Sequence, residues 1–371
     1  MNNILSVPHD CYIILTSRCN ERCIHCYGNY GTQDFSNELS GSEWDNVFKD
    51  LIQNGIFYVN ISGGEPTQHP DFVEVVDSLT RRELHYIITT NGLCDAICLE
   101  SIVKSRDLLV GLKISLDGAD ASSHSYLRRD GQGRKNEVLF SGTLKTIYYL
   151  KSKGIPVTIA TCIHPENINK MDEFVKLILD IKPVSWYIST ISLSGRALNN
   201  LDSFVSESQL KLEQWTKISS ICEKNDIFVH FIDMPSVSEE SEKALYYECP
   251  AANWFCEIDS TGIVSPCPLA RVAIDEKKIR FENICHKSIR EIWNGEAFRQ
   301  FRRLAQSGCE GCIAKDRCGR CVPQSIQWFN NPELPPPFCI RHGEQLGLAN
   351  LVDLNCLLEE KMKLFHRHNY I

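Results

Sequence analysis

Cys19-Asn-Glu-Arg-Cys23-Ile-His-Cys26-Tyr27 places three thiols on one short loop with the spacing C-x3-C-x2-C. Sulfide-bridged iron takes soft anionic sulfur ligands, so such a loop suits an iron–sulfur cluster. A cubane has four irons. Three cysteines therefore leave one iron without a protein ligand, able to take a substrate or cofactor directly. Two other readings stay open on the loop alone: a zinc site, since His25 lies among the thiols, and three unrelated cysteines.

Around the loop, apolar runs alternate with helical patterns from residue 11 to about 195. Residues 12–16 form a short strand that runs into the loop. Residues 42–54 have helical spacing, with Trp44, Val47, Phe48, Leu51 and Ile52 on one side, Ser40 or Ser42 as N-cap and Gly55 as the stop. Strands are expected over 56–61, 85–89, 108–116, 156–162 and 184–191, and helices over 72–79, 142–153 and 171–181. Strands separated by helices imply an α/β fold with a parallel sheet and right-handed crossovers. In barrels of that kind the chemistry sits at the C-terminal ends of the strands.

Four motifs fall at those ends. Ser62-Gly63-Gly64-Glu65-Pro66 follows the second strand; its glycines let backbone approach a ligand, and Glu65 offers a buried acceptor, although a tight turn uses the same residues. Thr89-Thr90-Asn91-Gly92 ends the third strand, where Asn-Gly is also turn chemistry. Lys113-Ile-Ser115-Leu-Asp117-Gly118 ends the fourth, with Arg128, Arg129 and Arg134 beyond it. Ser194-Gly195-Arg196-Ala197 ends the sixth. In this order, over residues 11 to about 200, loop and motifs resemble the radical S-adenosylmethionine (SAM) enzymes, whose fold is a partial (β/α)6 TIM-like barrel.

The resemblance implies that Cys19, Cys23 and Cys26 hold a [4Fe–4S] cluster whose open iron chelates the amine and carboxylate of SAM. Reductive cleavage of SAM then gives a 5′-deoxyadenosyl radical. It also implies a SAM-side set of Tyr27, Gly63, Gly64, Glu65, Thr90, Asn91, Ser115, Asp117, Arg128 and Gly195. Gly63-Gly64-Glu65 would serve the amino group, Ser115 the ribose or carboxylate, and Gly195 the adenine. Arg128 would grip the carboxylate, with Arg134 as the alternative and solvated surface arginines as the plain reading. Thr161 is a weaker candidate.

A second cysteine block runs Cys249-x12-Gly262-x4-Cys267, then Cys309-x2-Cys312-x5-Cys318-x2-Cys321, then Cys339. C-x2-C pairs invite zinc, but a ribbon places about 15–20 residues between pairs, far more than this gap. The block resembles the SPASM domain of radical SAM peptide-modifying enzymes, with Phe281-Glu-Asn-Ile284 and Ser288-Ile-Arg-Glu-Ile-Trp-Asn294 as its linker. Glu282 stands where that family has glycine, and the last cysteine pair is spaced x2 rather than x3. The resemblance implies two auxiliary [4Fe–4S] clusters, three clusters in all. Cys249, Cys267 and Cys321 would hold one, with Cys256 either its fourth ligand or a plain apolar residue. Cys309, Cys312, Cys318 and Cys339 would hold the other.

The domain reading is a barrel over 1–200, a bridge over 201–245 with helical spacing at Leu212, Trp215, Ile218 and Cys222, the cysteine-rich domain over 246–345 and a C-terminal helix over 346–371. The 371 residues are 43% hydrophobic and 23% charged, an ordinary globular balance. A net charge of −8 without a long basic run argues against nucleic acid. No stretch approaches about 18 apolar residues and residues 1–10 lack a signal pattern, so a cytoplasmic chain off the membrane is expected. Without a secretory signal the 18 cysteines read as thiols and ligands rather than disulfides. Cys11, Cys94, Cys98, Cys162, Cys222, Cys285 and Cys356 read as small buried apolar residues.

The function implied by the two resemblances is maturation of a ribosomal precursor peptide, by hydrogen abstraction that leads to a crosslink, a thioether or a backbone rearrangement. Cofactor or tetrapyrrole biosynthesis is an alternative. So is a formylglycine-forming sulfatase maturase, against which Pro268 stands where that subfamily has a catalytic Asp. A flavodoxin- or ferredoxin-type reductant is expected. The cysteine loop begins too early for a leader-binding module before it, so a separate leader-recognition protein is expected as well.

Overall fold

The computed structural model describes residues 5–32, 34–201, 204, 212–232, 249–275, 278–306 and 321–337. Its frame is one sheet in which β1 (Asp10–Ile14), β2 (Tyr58–Ser62), β3 (His85–Thr90), β4 (Leu109–Ser115), β5 (Val157–Cys162) and β6 (Ser185–Ser189) lie side by side in chain order, all parallel. Helices α1 (Gly41–Gln53), α2 (Phe72–Arg81), α3 (Ala96–Lys104), α4 (Ala121–Leu127), α5 (Val138–Ser152), α6 (Pro165–Ile168) and α7 (Met171–Ile181) fill the crossovers. This is the expected barrel of β/α units. Helices α3, α4 and α6 are additional to the expected helices.

Local chemistry accounts for the elements. Ser40 caps α1 in a capping box with Glu43, and Trp44, Val47, Phe48 and Leu51 form its buried face. Gly55 follows at φ +87°, the left-handed stop that the sequence signals. Along each strand, residues packed beneath the helices alternate with residues facing the barrel interior. In β1, Cys11 and Ile13 are buried in the core while Tyr12 turns to the interior and donates to Ser62 Oγ at 2.7 Å. In β5 and β6, Ile159, Trp186 and Ile188 take the core side.

Two features extend this frame. In the segment read as a bridge, α8 (Leu212–Glu223) leads to β7 (Phe228–Ile232), a seventh parallel strand beside β6. On the other flank, β8 (Phe255–Ile258) pairs parallel to β1, followed by antiparallel β9 (Ile263–Ser265) and β10 (Glu282–Asn283). The cysteine-rich half is thus hydrogen-bonded into the barrel sheet. Helix α10 (Ile289–Trp293), with the expected Ile-Trp-Asn pattern, docks on α1 through Ile289 N donating to Asp50 Oδ2 at 2.8 Å. Its Trp293 Nε1 donates to Leu5 O at 2.7 Å. Helix α11 (Glu296–Gln306) follows. Cys11, Cys98 and Cys222 are buried as expected and Cys94 and Cys162 partly so, but Cys285 is exposed. Among the described residues no helix is long and apolar enough to cross a membrane. The expected 346–371 helix and Cys356 lie outside the described residues.

Strand β1 has a neighbour on both sides and a fully buried Ile13. Ile13→Ala should cost about 2–5 kcal/mol by removing packed methylenes. Urea denaturation of the metal-free chain checks this; an unchanged midpoint would contradict the assignment of β1 to the centre of the core.

Candidate functional site

The cysteine loop leaves β1 at the C-terminal mouth of the barrel and is held at both ends by backbone. At its start, Leu15 N donates to Ser62 O, Gly64 N to Thr16 O and Glu65 N to Arg18 O, at 2.8–2.9 Å. A Cβ on Gly63, whose φ is +147°, would lie 2.4 Å from Thr16 O, and one on Gly64 would lie 2.2 Å from Arg18 O. Only glycine fits either position. The Glu38 carboxylate adds a second clasp, accepting from Thr16 Oγ1, Ser17 N and Arg18 Nε.

At the far end of the loop, Gly195 stands at φ +57°, and a Cβ there would meet Tyr27 O at 2.3 Å and Cys26 O at 2.5 Å. The space expected to admit adenine is taken, on that side, by the loop itself. Arg196 completes the grip. Its backbone N–H donates to Cys26 O, its Nε to Cys23 O, and its two Nη atoms to Tyr30 O and Asn29 Oδ1, all at 2.9–3.0 Å.

Glu65 is fully buried and is an acceptor, but its partners belong to this chain. It takes hydrogen bonds from Thr67 N and Oγ1, Thr90 Oγ1 and Asn91 N at 2.7–3.2 Å. It therefore ties the end of β2 to the end of β3. Asn91 Nδ2 in turn donates to Asn20 Oδ1 of the loop at 2.7 Å. Ser115 is half-buried at the end of β4. Tyr27 packs edge-on against Tyr30, with ring centroids 5.8 Å apart.

Behind the loop lies a buried charge network. Arg128, 9% exposed, donates from Nε to Asp117 Oδ2 at 2.7 Å and from Nη1 to Glu21 Oε2 at 3.0 Å. The arginine expected to grip a ligand carboxylate thus holds two carboxylates of its own chain. Arg134 is largely exposed and pairs with Asp130. Burial opposes ionisation of Asp117, but Arg128 leads the groups that outweigh it and keep this carboxyl at about 2. Burial raises Glu21 despite the same guanidinium. Burial also lowers His25 to about 4 and His124 to about 3, leaving both imidazoles neutral. Glu21 and Arg196 support the cysteine loop through partners distant in the chain, which the sequence alone does not single out.

The thiols fit a multi-iron group. Burial pushes Cys19 up to about 12 and raises Cys23 well above the usual thiol range, so a bound cation would be needed to favour their thiolates. Among the described residues no three of His, Cys, Asp and Glu converge closely enough for a single metal ion.

In the second block, Cys267 feels the charges of Cys249 and Cys321. Cys267 caps α9 (Pro268–Ala273), with Sγ accepting from Ala270 N at 3.3 Å, and Cys321 caps α12 (Val322–Phe329). Cys249 and Cys321 thus lie within electrostatic reach of Cys267. Cys256 does not join them. It lies on the core side of β8, its sulfur 3.5 Å from Cys11 Sγ, because strand alternation turns it away from the face that carries Glu257. The fourth-ligand assignment of Cys256 is therefore withdrawn in favour of the apolar one. Cys309, Cys312, Cys318 and Cys339 lie outside the described residues. At the floor of the barrel, Lys113 stacks on Tyr187 at 4.1 Å beside a cavity of about 130 Å³, well below the cysteine loop.

Replacing Arg128 by Met should strand Glu21 and Asp117 as unpaired buried carboxylates and cost about 3–5 kcal/mol. Urea denaturation would refute this if the midpoint held. Arg196→Ala should leave global stability closer to wild type but speed the loss of loop-bound iron to a chelator, since four loop contacts go with the side chain. Unchanged release would show that the clamp is dispensable.

Residues 13–178 match the radical SAM superfamily, and residues 249–321 match SPASM, an iron–sulfur cluster-binding domain. Mycofactocin maturase MftC of Mycobacterium tuberculosis is 28% identical, covering 90% of this chain and 83% of the relative. AdoMet-dependent heme synthase of Methanosarcina barkeri is 26% identical, covering 88% and 94%. PqqA peptide cyclase of Gluconobacter oxydans is 25% identical, covering 98% of both chains. Streptococcus suis SuiB, solved with bound S-adenosylmethionine, shares the fold with a TM-score of 0.71 at 18% identity, covering 90% of this chain and 77% of that one. The chain belongs to the radical SAM superfamily and carries a SPASM domain after its barrel.

Proposed function

We propose that this chain is a radical SAM peptide maturase: it cleaves SAM reductively at the cysteine loop and removes a hydrogen atom from a ribosomal precursor peptide held in the barrel. The observation that carries the reading is a three-thiol loop, clamped at both ends over the open mouth of the barrel, in a chain that also matches SPASM. A peptide as substrate is supported by similarity to PqqA peptide cyclase over nearly the whole chain.

Cys19, Cys23 and Cys26 would hold the SAM-binding [4Fe–4S] cluster. When bound, that cluster supplies the electron that splits the sulfonium of SAM into methionine and a 5′-deoxyadenosyl radical. The residues of the chain do the rest. Gly63-Gly64 and Gly195-Arg196 fix the path of the loop, so the three thiols keep one spacing. Glu65 and Asn91 lock the ends of β2 and β3 against it. Tyr27 and Ser115 remain the side chains at the rim available to a cofactor, whereas Thr90, Asp117 and Arg128 act by supporting the loop from behind. Cys249, Cys267 and Cys321 would hold one auxiliary cluster, and Cys309, Cys312, Cys318 and Cys339 a second, as electron acceptors after the new bond forms. A flavodoxin- or ferredoxin-type reductant would complete the system. A tetrapyrrole substrate is the second reading, favoured by the similarity to a heme synthase.

Anaerobically reconstituted protein should hold about twelve irons per chain, from three cubanes. The Cys19→Ala/Cys23→Ala/Cys26→Ala variant should lose about four of them and all formation of 5′-deoxyadenosine from SAM and dithionite. Retained cleavage, or about four irons in wild type with bound zinc, would defeat the reading. Mass-shifted peptides from a low-mass peptide extract of the producing cell favour the peptide substrate, and consumption of a porphyrinoid the alternative.

A further inference from the structure

Glu257 is the described acid that the site as built so far leaves unused. It lies in the middle of β8, 2% exposed, in register with Tyr12 of β1. Its neighbour Cys256 faces the core, so Glu257 faces the barrel interior with Tyr12, whose hydroxyl reaches Ser62. Tyr27 and Tyr30 of the cysteine loop and Cys267 of the second block all lie within its electrostatic reach. It is therefore close to both cysteine sites.

Its Oε2 is buried without a hydrogen-bond partner among the described residues. The nearby groups are otherwise engaged: Arg271 Nε pairs with Asp259 at 2.8 Å, Tyr12 OH donates to Ser62 Oγ at 2.7 Å, and Tyr30 OH donates to Tyr27 OH at 3.5 Å. A buried carboxyl oxygen with no partner costs free energy in the unliganded fold. A donor brought by an incoming molecule removes that cost, and such a site rejects molecules that lack the donor.

We propose that Glu257 is a substrate-contacting specificity residue, accepting a hydrogen bond from an N–H or O–H donor of the molecule held between the cysteine loop and Cys267. With the peptide reading, on which this inference rests, the donor is an amide or side-chain N–H or O–H of the precursor peptide, close to the position attacked.

The test compares wild type, Glu257→Gln and Glu257→Leu, each reconstituted anaerobically and supplied with SAM, dithionite and a low-mass peptide extract of the producing cell. Gln keeps an acceptor and Leu removes it at similar volume. Iron content and 5′-deoxyadenosine formed without extract should stay within about twofold of wild type in both variants. With extract, the Leu variant should form about tenfold less mass-shifted peptide per 5′-deoxyadenosine, the effect of one lost buried hydrogen bond, and the Gln variant should keep most of it. A Leu variant that couples cleavage to modification as wild type does would overturn the role of Glu257 and leave the peptide reading standing. So would a loss of iron or of extract-free cleavage in both variants, which would make Glu257 structural. A wild-type enzyme that cleaves SAM but shifts the mass of no peptide would overturn the peptide reading and this inference with it.

Discussion

The cysteine loop has almost no secondary structure of its own, and its course is imposed by contacts between its carbonyls and two strand ends. Thr16 O and Arg18 O meet Gly63 and Gly64 after β2, while Cys26 O and Tyr27 O meet Gly195 after β6. At each of these three glycines the approach is closer than any Cβ would allow. Glycine is needed there less for its freedom than for its missing side chain. The barrel, by fixing where β2 and β6 end, fixes the distance between the two grips and so the spread of the thiols.

Behind that loop the chain has placed two acids and one permanent cation out of water. Taking charges from water costs more than one ion pair returns unless hydrogen bonds complete the arrangement. For Asp117 they do: its Oδ1 also accepts from Cys162 N, and its backbone O accepts from Asn167 Nδ2, whereas Glu21 Oε1 is buried without a partner among the described residues. A guanidinium suits the place because it can address two carboxylates from separate nitrogens, which a single ammonium point charge does less well. The network joins the loop to the ends of β4 and β5, two strands on which the glycine grips have no hold.

Much of this frame is legible in the sequence, and the residues show why. The capping box and apolar face of α1 are local signals, as are the β-branched and aromatic residues of β2 to β6. Helix α4 is mostly serine, histidine and alanine, so it carries no stripe to read; only its cap at Asp120 betrays it. Strands β8 to β10 are two to four residues long, and β8 finds its partner across more than 240 residues of chain. The cysteine spacings point to two sites, but whether Cys256 or Glu257 turns to the barrel interior is decided by strand parity. Parity depends on where β8 begins, and composition does not record that. Arg128 was visible as an arginine near a strand end; that its partners are Glu21 and Asp117 is a tertiary fact.

The parallel pairing of β8 with β1 has a consequence for how two cluster sites can cooperate. A cysteine domain tethered by a linker would leave the distance between sites to chance. Here Cys267 follows β9 in a sheet that runs without a break from β10 to β7, and the loop that carries Cys19 begins one residue pair beyond the end of β1. The interval is therefore set by inter-strand spacing of about 4.8 Å and by strand rise, neither of which stretches. The floor of the barrel beneath it is filled by Lys113 on Tyr187, leaving a cavity of about 130 Å³, space for only a few waters.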